Sequence, residues 1–125
     1  MQPYNSLMSP DPEEWLALGE QERIDLARDY HRKAHIRLTN AKVHATVHAI
    51  VETQIALGDE TPARRTTQRL MDAGLDRHEA IHAIDWVLIQ FRSDLMETAQ
   101  LDTDPNAPYF AALERLTVED WRQSQ

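Results

Sequence analysis

The sequence predicts an all-α fold, a single compact helical bundle of about four main helices with short terminal helices. Three observations carry this. Apolar residues recur every three or four positions through most of the chain, no Asn-Gly or Asp-Gly pair joins alternating apolar runs, and only three glycines occur in 125 residues. A chain of this length is expected to form one domain and to bury roughly two-thirds of its unfolded surface.

Residues 1–10 are polar and contain Pro3 and Pro10, which predicts a flexible arm ahead of a domain spanning 11–125. Asp11-Pro12-Glu13-Glu14 sets a capping side chain, a proline at the first helical position and two acids at the positive dipole end, so a short helix is expected over about 12–18. After Gly19, a helix A over Glu20 to Leu38 lines up Ile24, Ala27, Tyr30, Ala34 and Leu38 on one face. Thr39 and Asn40 offer caps for a helix B, whose inner face holds Val43, Val47, Ile50, Val51 and Ile55 and which ends at Leu57-Gly58. Thr61-Pro62 opens a helix C that runs to Ala73-Gly74 with Leu70 and Met71 inward.

Asp76 caps helix D, with Glu79 as the third-position acid of a capping box. Helix D is the most apolar element, with Ile81, Ile84, Val87, Leu88, Ile89, Phe91, Leu95 and Met96 around much of its circumference, so it belongs in the middle of the bundle. The turn-rich stretch 102–108 leads to a terminal helix near 109–116, and Thr117 with Asp120 suggests one more capped turn holding Trp121. Trp15, Trp86, Trp121, Tyr30, Tyr109 and Phe91 are expected as packing anchors.

Composition removes several functions. With no Cys there is no disulfide framework, thiolate nucleophile or thiolate metal site. The balance of 21 acidic against 13 basic residues gives a net charge of -8, which disfavours nucleic acid. Arg64, Arg65 and Arg69 form a compact basic cluster and read as a solvated helix face. No apolar run approaches the ~18 residues of a membrane span, and the N-terminus lacks a basic region followed by an apolar stretch. A soluble, cytoplasmic bacterial protein is expected, open to homo-oligomerisation and without membrane or nucleic-acid partners. No glycine-rich phosphate loop, nucleophile elbow or Ser-His-Asp relay can be assembled.

The informative residues are the six histidines, because all of them fall into i,i+4 pairs: His31 with His35, His44 with His48, and His78 with His82. Six histidines scattered at random over this length would give ~0.2 such pairs. Side chains four apart stand one turn apart on the same helix face, a spacing at which both imidazoles reach one ion. At 100 degrees per residue all three pairs point inward, with Glu52 one turn beyond His48 and Asp85 beside His82. Buried imidazoles without partners would cost roughly 1 to 3 kcal/mol each, and a shared metal removes that cost.

A site between helices B and D is therefore expected, built from His44, His48 and Glu52 facing His78, His82 and either Glu79 or Asp85. The His31 and His35 pair either joins it or orients the carboxylates that bind. Nitrogen and oxygen donors without sulfur suit a divalent transition metal, zinc or iron first, with manganese, cobalt and nickel also compatible. The expected partner is thus a metal ion, and a hydrolase-like role follows if a coordination position stays open for water, with Glu79 or Glu52 accepting its proton.

Two alternatives remain. His78-Glu79-Ala80-Ile81-His82 is an HExxH sequence, the pattern of a zinc metallopeptidase with Glu79 as catalytic base. Such an enzyme also needs a third ligand, for which Glu97, Asp102, Asp104 and Glu114 are available, and a sheet edge that this chain does not offer. The other alternative is a non-enzymatic acidic interaction module whose histidine-rich core responds to pH.

The stretch HATVHAIVETQIALGDETPARRTTQRLMDAGLDRHEAIHAI resembles an uncharacterised family of small bacterial helical proteins, a domain of unknown function in which HxxxH, a nearby acid and Gln, and a second helix with HExxH recur. The resemblance covers about residues 41–84 and touches His44, His48, Glu52, Gln54, His78, Glu79 and His82. It implies a helical, metal-binding protein with no assigned reaction, and it has no counterpart for His31 and His35.

Overall fold

The computed structural model describes the backbone of residues 4–33, 41–97 and 107–124, and the side chains of 4–32, 43–91 and 107–124. The described residues are all-α. Seven helices run in order, α1 (Pro12–Ala17), α2 (Glu20–Lys33), α3 (Ala41–Ala56), α4 (Ala63–Asp72), α5 (Arg77–Glu97), α6 (Ala107–Arg115) and α7 (Val118–Gln123), with a 3-10 turn at Gly58–Glu60 between α3 and α4. None of the described helices is long and apolar enough to cross a membrane.

The ends of these helices follow local chemistry. Asp11 accepts the Glu14 N–H (3.1 Å) to start α1. Arg23 of α2 reaches back to donate to the Trp15 and Leu16 carbonyls (3.1 and 2.9 Å) at the end of α1, where the Trp15 carbonyl also accepts the Leu18 N–H. At the far end of α3 the chain turns through Gly58, whose φ of +70 admits a glycine readily. Thr61 Oγ1 accepts the Ala63 N–H (3.2 Å) ahead of α4, and Asp76 Oδ1 accepts the Glu79 N–H (2.8 Å) ahead of α5. Thr117 and Asp120 form a reciprocal capping box at α7.

Helix α3 packs against α2, α4 and α5, and α5 also packs against α4 and α6. The main core collects Val51, Ile55, Leu70, Ile81, Ile84, Tyr109 and Leu113, with Trp86, Phe91 and Trp121 packed against it. Fully buried Ala80 and Ala83 let the neighbouring helices approach α5 closely. A second cluster joins Trp15 of α1, Ala49 of α3 and Tyr4, and Trp15 Nε1 donates to Thr53 Oγ1 (3.0 Å) to tie α1 onto α3.

Most elements lie where the apolar spacing puts them. The basic cluster is exposed but not idle: Arg65 pairs with Glu114, and Arg69 donates to the Leu113 and Leu116 carbonyls, fastening α6 to α4. Tyr4 and Ser6 differ from a loosely held arm in their placement, because both side chains are buried inside the helical domain. The C-terminal part of helix A beyond residue 33, the Thr39-Asn40 cap and the linker over 102–106 lie outside the described residues, as do the side chains of Leu95 and Met96.

Candidate metal centre

Three helices each send one histidine to a common point. His31 of α2, His48 of α3 and His82 of α5 offer ring nitrogens that all lie within 4.8 Å of one another. His31 Nε2 and His82 Nε2 are 3.2 Å apart. His78 lies beside this group, its ring centroid 4.1 Å from that of His82 and the two planes tilted by 48°, and Asp85 Oδ2 faces His48 Nδ1 at 3.4 Å.

The hydrogen-bond network fixes which nitrogens are free to bind. His31 Nδ1 lies 2.6 Å from the Ala27 carbonyl, which only accepts, so Nδ1 carries the proton and Nε2 presents a lone pair. The His48 tautomer is set through Tyr4. Arg77 clamps Glu52 through both guanidinium nitrogens, with Nη1 2.9 Å from Oε2 and Nη2 2.5 Å from Oε1, and Tyr4 donates its hydroxyl proton to Glu52 Oε2 (2.5 Å). The Tyr4 oxygen, 2.6 Å from His48 Nε2, is then an acceptor, so His48 carries its proton on Nε2. Nδ1 of His48 is left as a bare lone pair, buried and without a hydrogen-bond donor.

Asp85 has the same deficit. It is buried to 2 % exposure, and neither carboxylate oxygen has a hydrogen-bond partner. His48 Nδ1 and the two Asp85 oxygens thus meet with no donor between them, an arrangement that costs free energy unless a proton or cation enters. A cation fits the spacing. Two donors bound tetrahedrally at ~2.05 Å stand about 3.3 Å apart. That edge is close to both the 3.2 Å His31–His82 and the 3.4 Å His48–Asp85 separations.

The surroundings match what a metal-ligating imidazole needs. A backbone carbonyl holds the distal N–H of His31, and a tyrosine leading to a carboxylate holds that of His48, the kind of partner that fixes ring orientation and tautomer. Burial pushes the His48 and His78 imidazoles down to about 4 and His82 down to about 2, with the neighbouring imidazoles adding to the shift at His78 and His82. His31 is lowered too, mainly by burial. Neutral, lone-pair-bearing rings are thereby favoured near neutral pH. Burial raises the Asp85 carboxyl well above its ordinary value, and the nearby histidines His31 and His44 act against that rise.

Among the described residues, the group holds His31, His48 and His82, one from each i,i+4 pair. His44 is half-buried one turn before His48, and His78 is half-buried with Nδ1 2.7 Å from Ser6 Oγ and Nε2 buried and unpartnered. Glu52 is buried, but Arg77 and Tyr4 occupy its two oxygens, so it orients His48 through Tyr4. Glu79 is exposed in the first turn of α5, outside the group of ring nitrogens. Glu114 is exposed and paired with Arg65. His35, Asp102 and Asp104, and the side chain of Glu97, lie outside the described residues.

Sequence reasoning passed over Tyr4, Ser6 and Arg77. Arg77 Nη1 also donates to the Ser6 carbonyl (3.0 Å), so these residues stitch the N-terminal segment onto the histidines. A signal existed for Arg77, which shares the helical face of Ile81 and Ile84 and so had to point inward. Tyr4 and Ser6 carry no periodic signal at all. No protein-family model, curated protein or solved structure matches the chain.

Proposed function

We propose that the protein binds a divalent transition metal between α2, α3 and α5, with His31 Nε2, His48 Nδ1, His82 Nε2 and Asp85 as its ligands. The observation that carries this is the bare, buried Nδ1 of His48, held in that tautomer by the Tyr4–Glu52–Arg77 chain and facing a carboxylate with no donor of its own. Three imidazoles and a carboxylate without sulfur suit zinc or iron first, then manganese, cobalt or nickel.

When bound, such an ion supplies Lewis acidity and lowers the pKa of a coordinated water, which makes a hydrolase-like role chemically accessible. The chain's own part is to hold neutral rings in fixed orientations and to keep the site walled by buried side chains. Exposed Glu79 favours this reading over an HExxH peptidase that would use it as a base.

Elemental analysis of the chain, stripped with chelator and reloaded, tests the proposal together with thermal unfolding. Saturation at a thousand times Kd stabilises by about 4 kcal/mol, worth about 10 °C or more in Tm for a chain of this size. A preparation that takes up none of the five metals and melts at the same temperature with or without them contradicts it, and a melting point that responds only to pH favours the interaction module.

A further inference from the structure

A single ion leaves one feature of the centre unexplained. If Asp85 Oδ2 forms a coordination edge with His48 Nδ1, then Oδ1, equally buried and equally without a donor, has no role. In metal sites of helical bundles, carboxylates and histidines project inward from facing helices, and two-metal centres hold their ions about 3.5–4 Å apart. Two oxygens of one carboxylate are suited to reach one ion each.

The helices supply a nitrogen on the correct side. The pairs His48–Asp85 and Glu52–Arg77 show that α3 and α5 run antiparallel, so passing from Glu52 through His48 to His44 on α3 corresponds to passing from Arg77 through Asp85 toward the end of α5. His44 thus lies one turn, about 6 Å, beyond His48, away from the Tyr4–Glu52–Arg77 end. It is half-buried on the face of α3 that turns His48 toward Asp85. His78 lies on the opposite side, toward Ser6.

Resting on the metal-binding reading above, we propose that the centre is dinuclear, with Asp85 bridging the ion on His31, His48 and His82 to a second divalent cation held by His44. Water completes the shell of the second ion, which makes it the more weakly held of the two.

Equilibrium dialysis of the stripped full chain against manganese or zinc, read by elemental analysis, tests this. The expected result is two equivalents for the wild type and one for His44→Ala, with the affinity for the remaining ion unchanged within about threefold. One equivalent in the wild type, or two in His44→Ala, overturns the dinuclear centre and leaves the first site standing. No bound metal in the wild type overturns the metal-binding reading itself. Should His44→Ala fail to fold, electron paramagnetic resonance of the manganese-loaded wild type decides: a spin-coupled pair is expected, and only isolated-ion signals overturn the proposal.

Discussion

His31 Nε2 and His82 Nε2, 51 residues apart in sequence and on different helices, stand 3.2 Å from one another. Because the Ala27 carbonyl holds the His31 proton on Nδ1, the bond between the two rings exists in the metal-free chain only while His82 donates from Nε2. In the proposed metal site an ion would replace that donor, with both nitrogens as ligands at nearly the separation they already have. His48 needs more adjustment: an envelope of 4.8 Å exceeds a tetrahedral edge by about 1.5 Å, which small rotamer shifts can supply.

Removing a ligand should therefore cost metal rather than fold. His82→Ala and His48→Ala should weaken zinc binding by 100-fold or more in competition with a chromophoric chelator, while far-ultraviolet circular dichroism stays helical. Retained wild-type affinity in both variants would contradict the assigned ligands.

Tyr4→Phe deletes the oxygen that accepts the His48 Nε2 proton and the donor to Glu52. Metal affinity should drop 10- to 100-fold, as when an outer partner of a ligating histidine is lost. The same competition assay checks it. An affinity within twofold of wild type would mean that the N-terminal segment packs on the site without orienting it.

The Arg77–Glu52 pair is buried, with both side chains almost inaccessible. Arg77→Met leaves an uncompensated carboxylate and should destabilise by about 3–5 kcal/mol in urea unfolding. The double variant Arg77→Met with Glu52→Leu should recover much of that loss, because the stranded charge is removed.

The helices were legible from apolar periodicity and capping side chains, since each signal is local: Asp11, Asp76 and Thr117 all accept the N–H bonds expected of them. The inward direction of His31, His48 and His82 was legible for the same reason. What spacing could not convey was that His48 and His82, rather than His44 and His78, meet His31, because that depends on how far the helices slide along one another. Nor could it convey that Tyr4 and Ser6 fold back, since burying them depends on contacts with residues such as Glu52, Arg77 and His78 that are distant in sequence.

Acid should destabilise the metal-free protein. Burial, which disfavours its cation, pushes the His48 imidazole down to about 4 in the folded chain, against the ordinary value of 6.5. Both states are neutral at high pH. As pH falls below 6.5 the unfolded chain takes up a proton that the folded chain refuses until about 4, so stability is lost across that window. At pH 5 His48 alone costs about 2 kcal/mol. His78 and His82 act in the same direction, whereas the raised Asp85 opposes them by gaining a proton in the folded state first. Urea midpoints of the stripped protein from pH 8 to pH 5 should fall accordingly, and Asp85→Asn should make the fall steeper.

Glu79→Gln changes an exposed side chain at the start of α5. Metal content should be unchanged and stability should shift by less than about 0.5 kcal/mol. Loss of metal in this variant would place Glu79 at the site after all.

The most direct measurement is an anomalous difference map from a crystal of the zinc-loaded protein, recorded at the zinc edge. The account predicts a strong peak about 2.0–2.2 Å from His31 Nε2, His48 Nδ1 and His82 Nε2, with an Asp85 oxygen in the same shell. A peak bound through His48 Nε2, or no peak among these three histidines, would contradict it.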